Sequence, residues 1–423
     1  MTTRRDWVAG AGRLLVASAI DPTLGAKVIG RAPPTSIRDD FPMASTRVCL
    51  NNASVHPMSL SAQGAVQAYL EGRSHGGAAA PGAVEGGRAR LGVTGNAAEE
   101  HVRALFASLI NASASEISFV PSTTAGENLV VAGLGIPGTR GNVVTDALHF
   151  EGSMFLYRSL QAAGLDLRVV PPREWRIDLA DLERRIDKNT KLVALSLVSY
   201  VNGFQHDLKA VSDLAHAHGA IVYADIVQAA GSVPIDVRAT GVDCCATSSY
   251  KWLMGDFGLG FLYVREDLLD RVLKRTQYGF RQYSDFEYHF LPGDKPGDAP
   301  TTWTPVTDVA GHFEVGTISR TTVAALGHSL EVIHGMGVAN IQAHNLALVR
   351  RVQAELPRLG YTPLTPSETT SSIASFVVKD PDAVTRRLSA ANVNVKVEQH
   401  LMRVSPSIFN NDADVDAFLN AVS

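Results

Sequence analysis

Cysteine is scarce, with 3 residues in 423: Cys49, Cys244 and Cys245. One distant and two adjacent thiols make neither a disulfide framework nor a zinc spacing, so all three read as small buried apolar residues. No metal is expected. Charge of one sign is lacking too: Lys+Arg 38 against Asp+Glu 42 leaves a formal net charge of −4, without the basic footprint of a nucleic-acid binder. A small-molecule partner is expected instead. No stretch approaches the ~18 apolar residues of a membrane span. No glycine fingerprint of a dinucleotide site follows the early strands, and no internal repeat is visible.

The N-terminus carries Arg4-Arg5, then a weakly apolar Ala/Gly-rich stretch to Ile20 with small residues at Ala17-Ser18-Ala19. This pattern resembles a twin-arginine export signal, so export to the periplasm is the expectation. Arg13 interrupts the apolar region, which an amphipathic extension of a cytoplasmic protein would also show.

Further on, Arg47 to Leu50 reads as a short strand, Ser61 to Arg73 and Ala97 to Leu109 as helices, and Gly76 to Gly87 as a mobile loop. From Ile117 the chain alternates apolar strands with helices. Strands are expected at Ile117–Val120, Val143–Thr145, Leu167–Val170, Leu192–Leu197, Ile221–Ala224, Cys244–Thr247 and Phe261–Val264, with a helix at Asp207–His218 among those between. Near-continuous apolar strands of this kind mean an α/β fold whose mostly parallel sheet is covered on both faces. Arg265 to Lys274 is expected to be helical, and Tyr278 to Thr307 a long irregular segment. Helices over Thr322–His334 and Val338–Leu359 lead to a smaller α/β unit. In it the expected elements are strand Ile373–Val378, helix Ala383–Ala390, strands Val393–Val397 and Leu401–Val404, and helix Asp412–Val422.

In such sheets ligands bind beyond the carboxyl ends of the strands. Lys251 follows one such end, flanked by Tyr250 and Trp252. A partly desolvated lysine there favours the neutral amine that attacks a carbonyl; the plainer alternative is a lysine snorkelling to solvent. Thr123-Thr124-Ala125-Gly126 opens a helix after a strand, where free N–H groups suit a phosphate or only cap the helix. Asp225 ends another strand, with Gln228 three residues on. A carboxylate beside a lysine and a phosphate cradle could hold a proton on a pyridine nitrogen, making the ring an electron sink.

Together these segments resemble the fold-type I enzymes of pyridoxal phosphate, specifically the class V aminotransferase family with its cysteine desulfurases, selenocysteine lyases and isopenicillin N epimerase-like proteins. The resemblance runs from about Ile37 to the C-terminus. It implies an aspartate aminotransferase-like architecture, with an extension over 1–36, a large cofactor-binding domain over 37–320 and a small domain over 321–423. It also implies roles. Lys251 would form the Schiff base; Thr123, Thr124, Ala125, Ser248 and Tyr250, a position where many relatives have His, would hold phosphate; Asp225 and Gln228 would meet the pyridine nitrogen and O3′. Phe150 would stack on the ring, although His149 stands next to it and desulfurases place His there. Asn52 and Ala53, in Asn51-Asn52-Ala53-Ser54, resemble the substrate loop, and Arg403 the arginine that grips a substrate carboxylate. Thr317, in Phe313-Glu314-Val315-Gly316-Thr317, resembles the residue that reaches the neighbouring subunit's phosphate, which implies a homodimer with shared sites.

One departure narrows the chemistry. Desulfurases carry a catalytic cysteine on a loop shortly before the substrate arginine, whereas Val393 to Arg403 is short and has none. The expected reaction is therefore β-elimination from an amino acid with C–S cleavage. Epimerisation, transamination, oxidative modification of a peptide side chain and a non-catalytic binding role are the alternatives.

Overall fold

A computed structural model describes residues 35–75 and 97–423, apart from 137 and 139. The paired arginines and the glycine-rich stretch 76–87 lie outside the described residues. The chain passes through strand β1 (Val48–Cys49) and helices α1 (Leu60–His75) and α2 (Ala97–Leu109) before the alternation begins. Helix α2 buries Val102 and Phe106 on one face, and Glu99 and Glu100 in its first turn favour the helix dipole. There follow β2 (Ile117–Val120), α3 (Thr123–Gly133), β3 (Asn142–Asp146), α4 (Glu151–Ala162), β4 (Asp166–Val170), β5 (Thr190–Ser196), α5 (Leu208–Ala217), β6 (Ile221–Asp225), β7 (Cys244–Ser248) and β8 (Gly260–Val264).

The seven strands from β2 to β8 form one sheet in the order β2-β8-β7-β6-β5-β3-β4. Only β8 runs against its neighbours, so β2, β3, β5, β6 and β7 all end at one edge. Successive residues serve opposite faces: Val193, Leu195, Val222, Ala224 and Cys245 enter one core, and Leu192, Ala194, Tyr223, Cys244 and Ala246 the other. Helix α3 approaches the sheet closely because residue 126 is glycine; a Cβ there would lie 2.8 Å from the Cβ of Ala246.

Beyond the sheet the sequence expectations need three corrections. Arg265 to Lys274 is not a helix: a 3₁₀ turn at Glu266–Leu268 is followed by Asp270 with φ +57°, which interrupts any helical path. The segment 278–307 is not irregular throughout, because β9 (Tyr283–Tyr288) and β10 (Thr301–Pro305) pair antiparallel, with Phe286 stacked 6.2 Å from Trp303. The expected strand Val393–Val397 is divided: β12 (Val393–Asn394) runs parallel to β1, and β13 (Lys396–Glu398) pairs with β14 (Leu401–Val404).

Helix α6 (Arg320–Met336) packs into the large core, while α7 (Val338–Glu355) reaches it at Ile341 and enters a smaller core further along. Val323, Leu326, Leu330 and Ile333 of α6 pack into the large one. The smaller core joins Leu50 to Leu348 and Val352 of α7, Phe376 of β11 (Ala374–Val377), Leu388 of α8 (Pro381–Ala390), Met402 and Val404 of β14, and Phe418 of α9 (Asp412–Val422). The N-terminal strand thus packs with the C-terminal unit. No helix of the described residues is long and apolar enough to cross a membrane.

Candidate active site

The common edge of the sheet brings Thr123, Asp146, Ser196, Asp225 and Ser248 to one end of the molecule. Lys251 lies three residues past β7 and is 8 % exposed. Its Nζ makes no hydrogen bond or ion pair among the described residues, and lies 5.8 Å from the centre of the Tyr250 ring. Burial pulls its pKa down to about 8; Asp225 counters this, while Arg403 and Lys396 add to it. Such a lysine is about half neutral at pH 8, against roughly 0.3 % for one titrating at the ordinary value.

Asp225 is buried, and its Oδ1 accepts the Val227 N–H at 2.8 Å. Its other oxygen has no hydrogen-bond partner among the described residues. Burial raises the Asp225 pKa, opposed by His149, the Val227 N–H and Lys251 in that order. Gln228 is braced: Nε2 donates to the Ala53 carbonyl at 3.0 Å and Oε1 accepts the Trp252 Nε1–H at 2.9 Å. One Nε2 hydrogen is left over.

At the start of α3 the Ser122 Oγ accepts the Ala125 N–H at 3.1 Å. Thr123 donates its N–H to the Ser248 Oγ at 2.9 Å and shares a second bond through Oγ1 at 3.0 Å. Thr124 is exposed, and its N–H and Oγ1 have no partner among the described residues at the positive end of the helix dipole. Tyr250 is half-buried, its ring stacked on Phe257 at 4.6 Å.

The two candidates for ring stacking are separated by the geometry. His149 is buried with both ring nitrogens engaged, Nε2 by Glu127 at 3.1 Å and Nδ1 by Ser196 Oγ at 2.8 Å. Phe150 stands at the N-terminus of α4, half-buried and edge-on to Tyr200 at 5.5 Å. Gly152 makes room for it, since a Cβ there would lie 2.7 Å from Phe150 Cε1.

Arg403, on β14, is 2 % exposed. Its Nη1 donates to the Tyr200 carbonyl at 2.8 Å and its Nη2 to the Ser54 Oγ at 2.7 Å, while Nε has no partner among the described residues. Burial draws its pKa down to about 10. Asn52 does not face Arg403: fully buried, it gives its amide to the Ser405 carbonyl at 2.9 Å and to Asn410 Oδ1 at 3.3 Å. Ala53 is buried as well, its N–H on Ser405 Oγ. The loop 51–54 therefore presents Ser54 to Arg403, a residue of the loop that sequence alone did not single out, and Tyr200 carries no local sequence signal. Thr317 is exposed three residues after Glu314, which is buried between Arg103 and Arg281.

All three thiols are buried in the protein's walls. Burial pushes those of Cys244 and Cys245 up, so neither supplies the thiolate that nucleophilic sulfur chemistry needs.

The family model described as aminotransferase class-V matches residues 78–418. The chain is 31 % identical to a cysteine desulfurase of Shigella sonnei over 328 residues, covering 76 % of both chains. A probable cysteine desulfurase of Pyrococcus abyssi is 26 % identical over 416 residues, covering 92 % of this chain and 96 % of its own. Among solved structures, an apo cysteine desulfurase from Thermococcus onnurineus superposes with a TM-score of 0.78 at 23 % identity, over 92 % of this chain and 97 % of the other. A cystine C–S lyase in complex with its product cysteine persulfide gives 0.76 at 20 % identity, over 90 % and 98 %. Both show the same fold.

Proposed function

The chain belongs to the class V aminotransferase family of pyridoxal phosphate enzymes acting on amino acids, and from this premise we propose that it is a lyase eliminating a sulfur leaving group from Cβ of its substrate. The observation that carries this reading is that every thiol of the chain is buried while the Lys251 Nζ has no hydrogen-bond or ion-pair partner among the described residues and its pKa is drawn down to about 8.

The residues present fit the cofactor: the open N–H and hydroxyl of Thr124 suit the phosphate, with Thr123, Ser248 and Tyr250 beside them. The unbonded oxygen of Asp225 suits the pyridine nitrogen, the spare Gln228 hydrogen O3′, and the Phe150 ring the aromatic face. When bound, pyridoxal phosphate supplies an aldehyde that joins amines and a ring that takes up the electron pair of a Cα–H bond. Arg403 receives the substrate carboxylate on its unpartnered Nε–H and a remaining Nη hydrogen, with Ser54 steadying the other side of the guanidinium. Lys251 would take the Cα proton as general base. The Cβ–S bond breaks and sulfur leaves as thiolate. With one water consumed, the products are a thiol, pyruvate and ammonium. Thr317 is read as the contact to a second subunit's phosphate, in a homodimer.

Incubation with cystine or an S-alkylcysteine tests this reading. Pyruvate is expected with an equal amount of cysteine persulfide from cystine, or of thiol from an S-alkylcysteine; alanine would indicate desulfuration, exchange with a keto acid transamination, and loss of optical rotation alone epimerisation.

Two further results are expected. Below about pH 8 the apo-protein should take up pyridoxal phosphate at a rate rising roughly tenfold per pH unit, as Lys251 loses its proton, and should level off above. Stopped-flow absorbance checks this; a rate still climbing at pH 10 would mean an unperturbed lysine. Arg403→Lys should raise KM by about 10- to 100-fold with a smaller loss in kcat, because a point charge replaces a two-bond fork. Steady-state kinetics would show it, and an unchanged KM would move the carboxylate elsewhere.

A further inference from the structure

Behind Asp225 lies a buried polar cluster that the reaction above does not use. Its centre is Glu127, 1 % exposed within the largely apolar helix α3. Glu127 Oε1 accepts the His149 Nε2–H at 3.1 Å and the Tyr157 hydroxyl at 2.8 Å, and Oε2 accepts the Ser153 hydroxyl at 2.5 Å. His149 itself is 2 % exposed. Its Nδ1 faces the hydroxyl of Ser196, which is paired with Asp225 in the β5–β6 register. A carboxylate accepts only, so Nε2 carries a hydrogen. A hydroxyl can donate or accept, so Nδ1 is satisfied whether His149 is neutral or charged.

The charges around the ring decide which. Glu127 faces it from α3, Asp146 from the end of β3 and Asp225 from β6. Asp146 is itself bonded by the Leu148 N–H and by His206. The phenols of Tyr157 and Tyr223, which also face Glu127, are pushed up by burial and stay neutral. Burial alone would lower the His149 pKa, but Glu127, followed by Asp225 and Asp146, outweighs it and the net direction is up. Conversely, His149 is the largest influence opposing the burial that would neutralise Asp225, ahead of the Val227 N–H and Lys251.

We propose that Glu127 and His149 are positioning residues: Glu127 holds His149 as a buried cation beside Asp225, and that cation keeps Asp225 ionised so that it can retain a proton on the cofactor's ring nitrogen. This rests on the cofactor site described above. It places the control of ring protonation on α3 and the β3–α4 loop, away from the substrate.

The test is a spectrophotometric pH titration of the holoprotein, with the cofactor dissociation constant measured alongside. Glu127→Gln keeps the side chain's size and hydrogen-bonding capacity but loses the charge; His149→Gln removes the cation. A cofactor bound here without the ring-nitrogen proton would withdraw less electron density from its link to Lys251, so that its visible band would titrate at higher pH. Each variant should therefore move the midpoint of the visible band up by about one pH unit and weaken cofactor binding roughly tenfold. The double variant should show no more than the His149→Gln shift, since both act through one charge. If Glu127→Gln does not fold, Ser196→Ala, which removes only the Nδ1 partner, should shift the midpoint in the same direction by less. A visible band whose midpoint is unmoved in the variants would overturn the proposal. A wild type with no visible band would overturn the cofactor site, and the proposal with it.

Discussion

Lys251→Ala is expected to lose the visible absorbance of the bound cofactor and to turn over at least about 10⁴-fold more slowly, the scale of a combined loss of base and cofactor attachment. The size follows from the lysine's surroundings. Its Nζ is held by no hydrogen bond or ion pair among the described residues and is pushed towards the neutral amine by burial. A lysine with a packing role alone would be replaceable, but one that attacks a carbonyl and then carries the Cα proton is not. Added small amines should restore part of the turnover by supplying a base in the vacated space, a response that a merely misfolded variant would not give. Absorbance spectra and steady-state rates with and without amine separate the two.

Asp225→Asn should bind its cofactor at least about tenfold more weakly and, once loaded, turn over about 10³-fold more slowly. The amide preserves the acceptor for the Val227 N–H, so the turn after β6 should hold. It cannot carry the negative charge that keeps a proton on the ring nitrogen, and without that proton the ring is a poor sink for the electrons of the Cα–H bond. The loss should therefore fall on kcat rather than KM, and single-turnover measurements should place it in proton removal. Turnover within tenfold of wild type would reduce Asp225 to a structural strand end.

The placement of Lys251 and Asp225 was legible because it depends on local order. Apolar strands such as Ile221 to Ala224 and Cys244 to Thr247 announce themselves, and whatever polar residue ends them lies at the ligand edge of a parallel sheet. What stayed hidden depends on pairings distant in sequence. Asn52 looked available in a polar loop, but its partners Ser405 and Asn410 lie 353 and 358 residues away. Val393 to Val397 read as one strand because each residue suits a sheet, yet its two halves pair with β1 and β14 in separate sheets. The hairpin of β9 and β10 did leave a trace in Tyr283, Ser284, Asp285, Phe286, Glu287 and Tyr288, where β-forming aromatics alternate with polar residues. Glu127 left only a weak one, a carboxylate among Leu129, Val130 and Val131. Its partners His149, Ser153 and Tyr157 lie more than twenty residues on, and only the fold shows that they converge beside Asp225.

Reduction of the holoprotein with borohydride, followed by digestion and mass spectrometry, asks most directly whether Lys251 is the residue on which the chemistry turns. A pyridoxyl label on the peptide containing Lys251, and on no other lysine, is the expected result. A label on a different lysine, or none in a protein that retains the visible band, would contradict it.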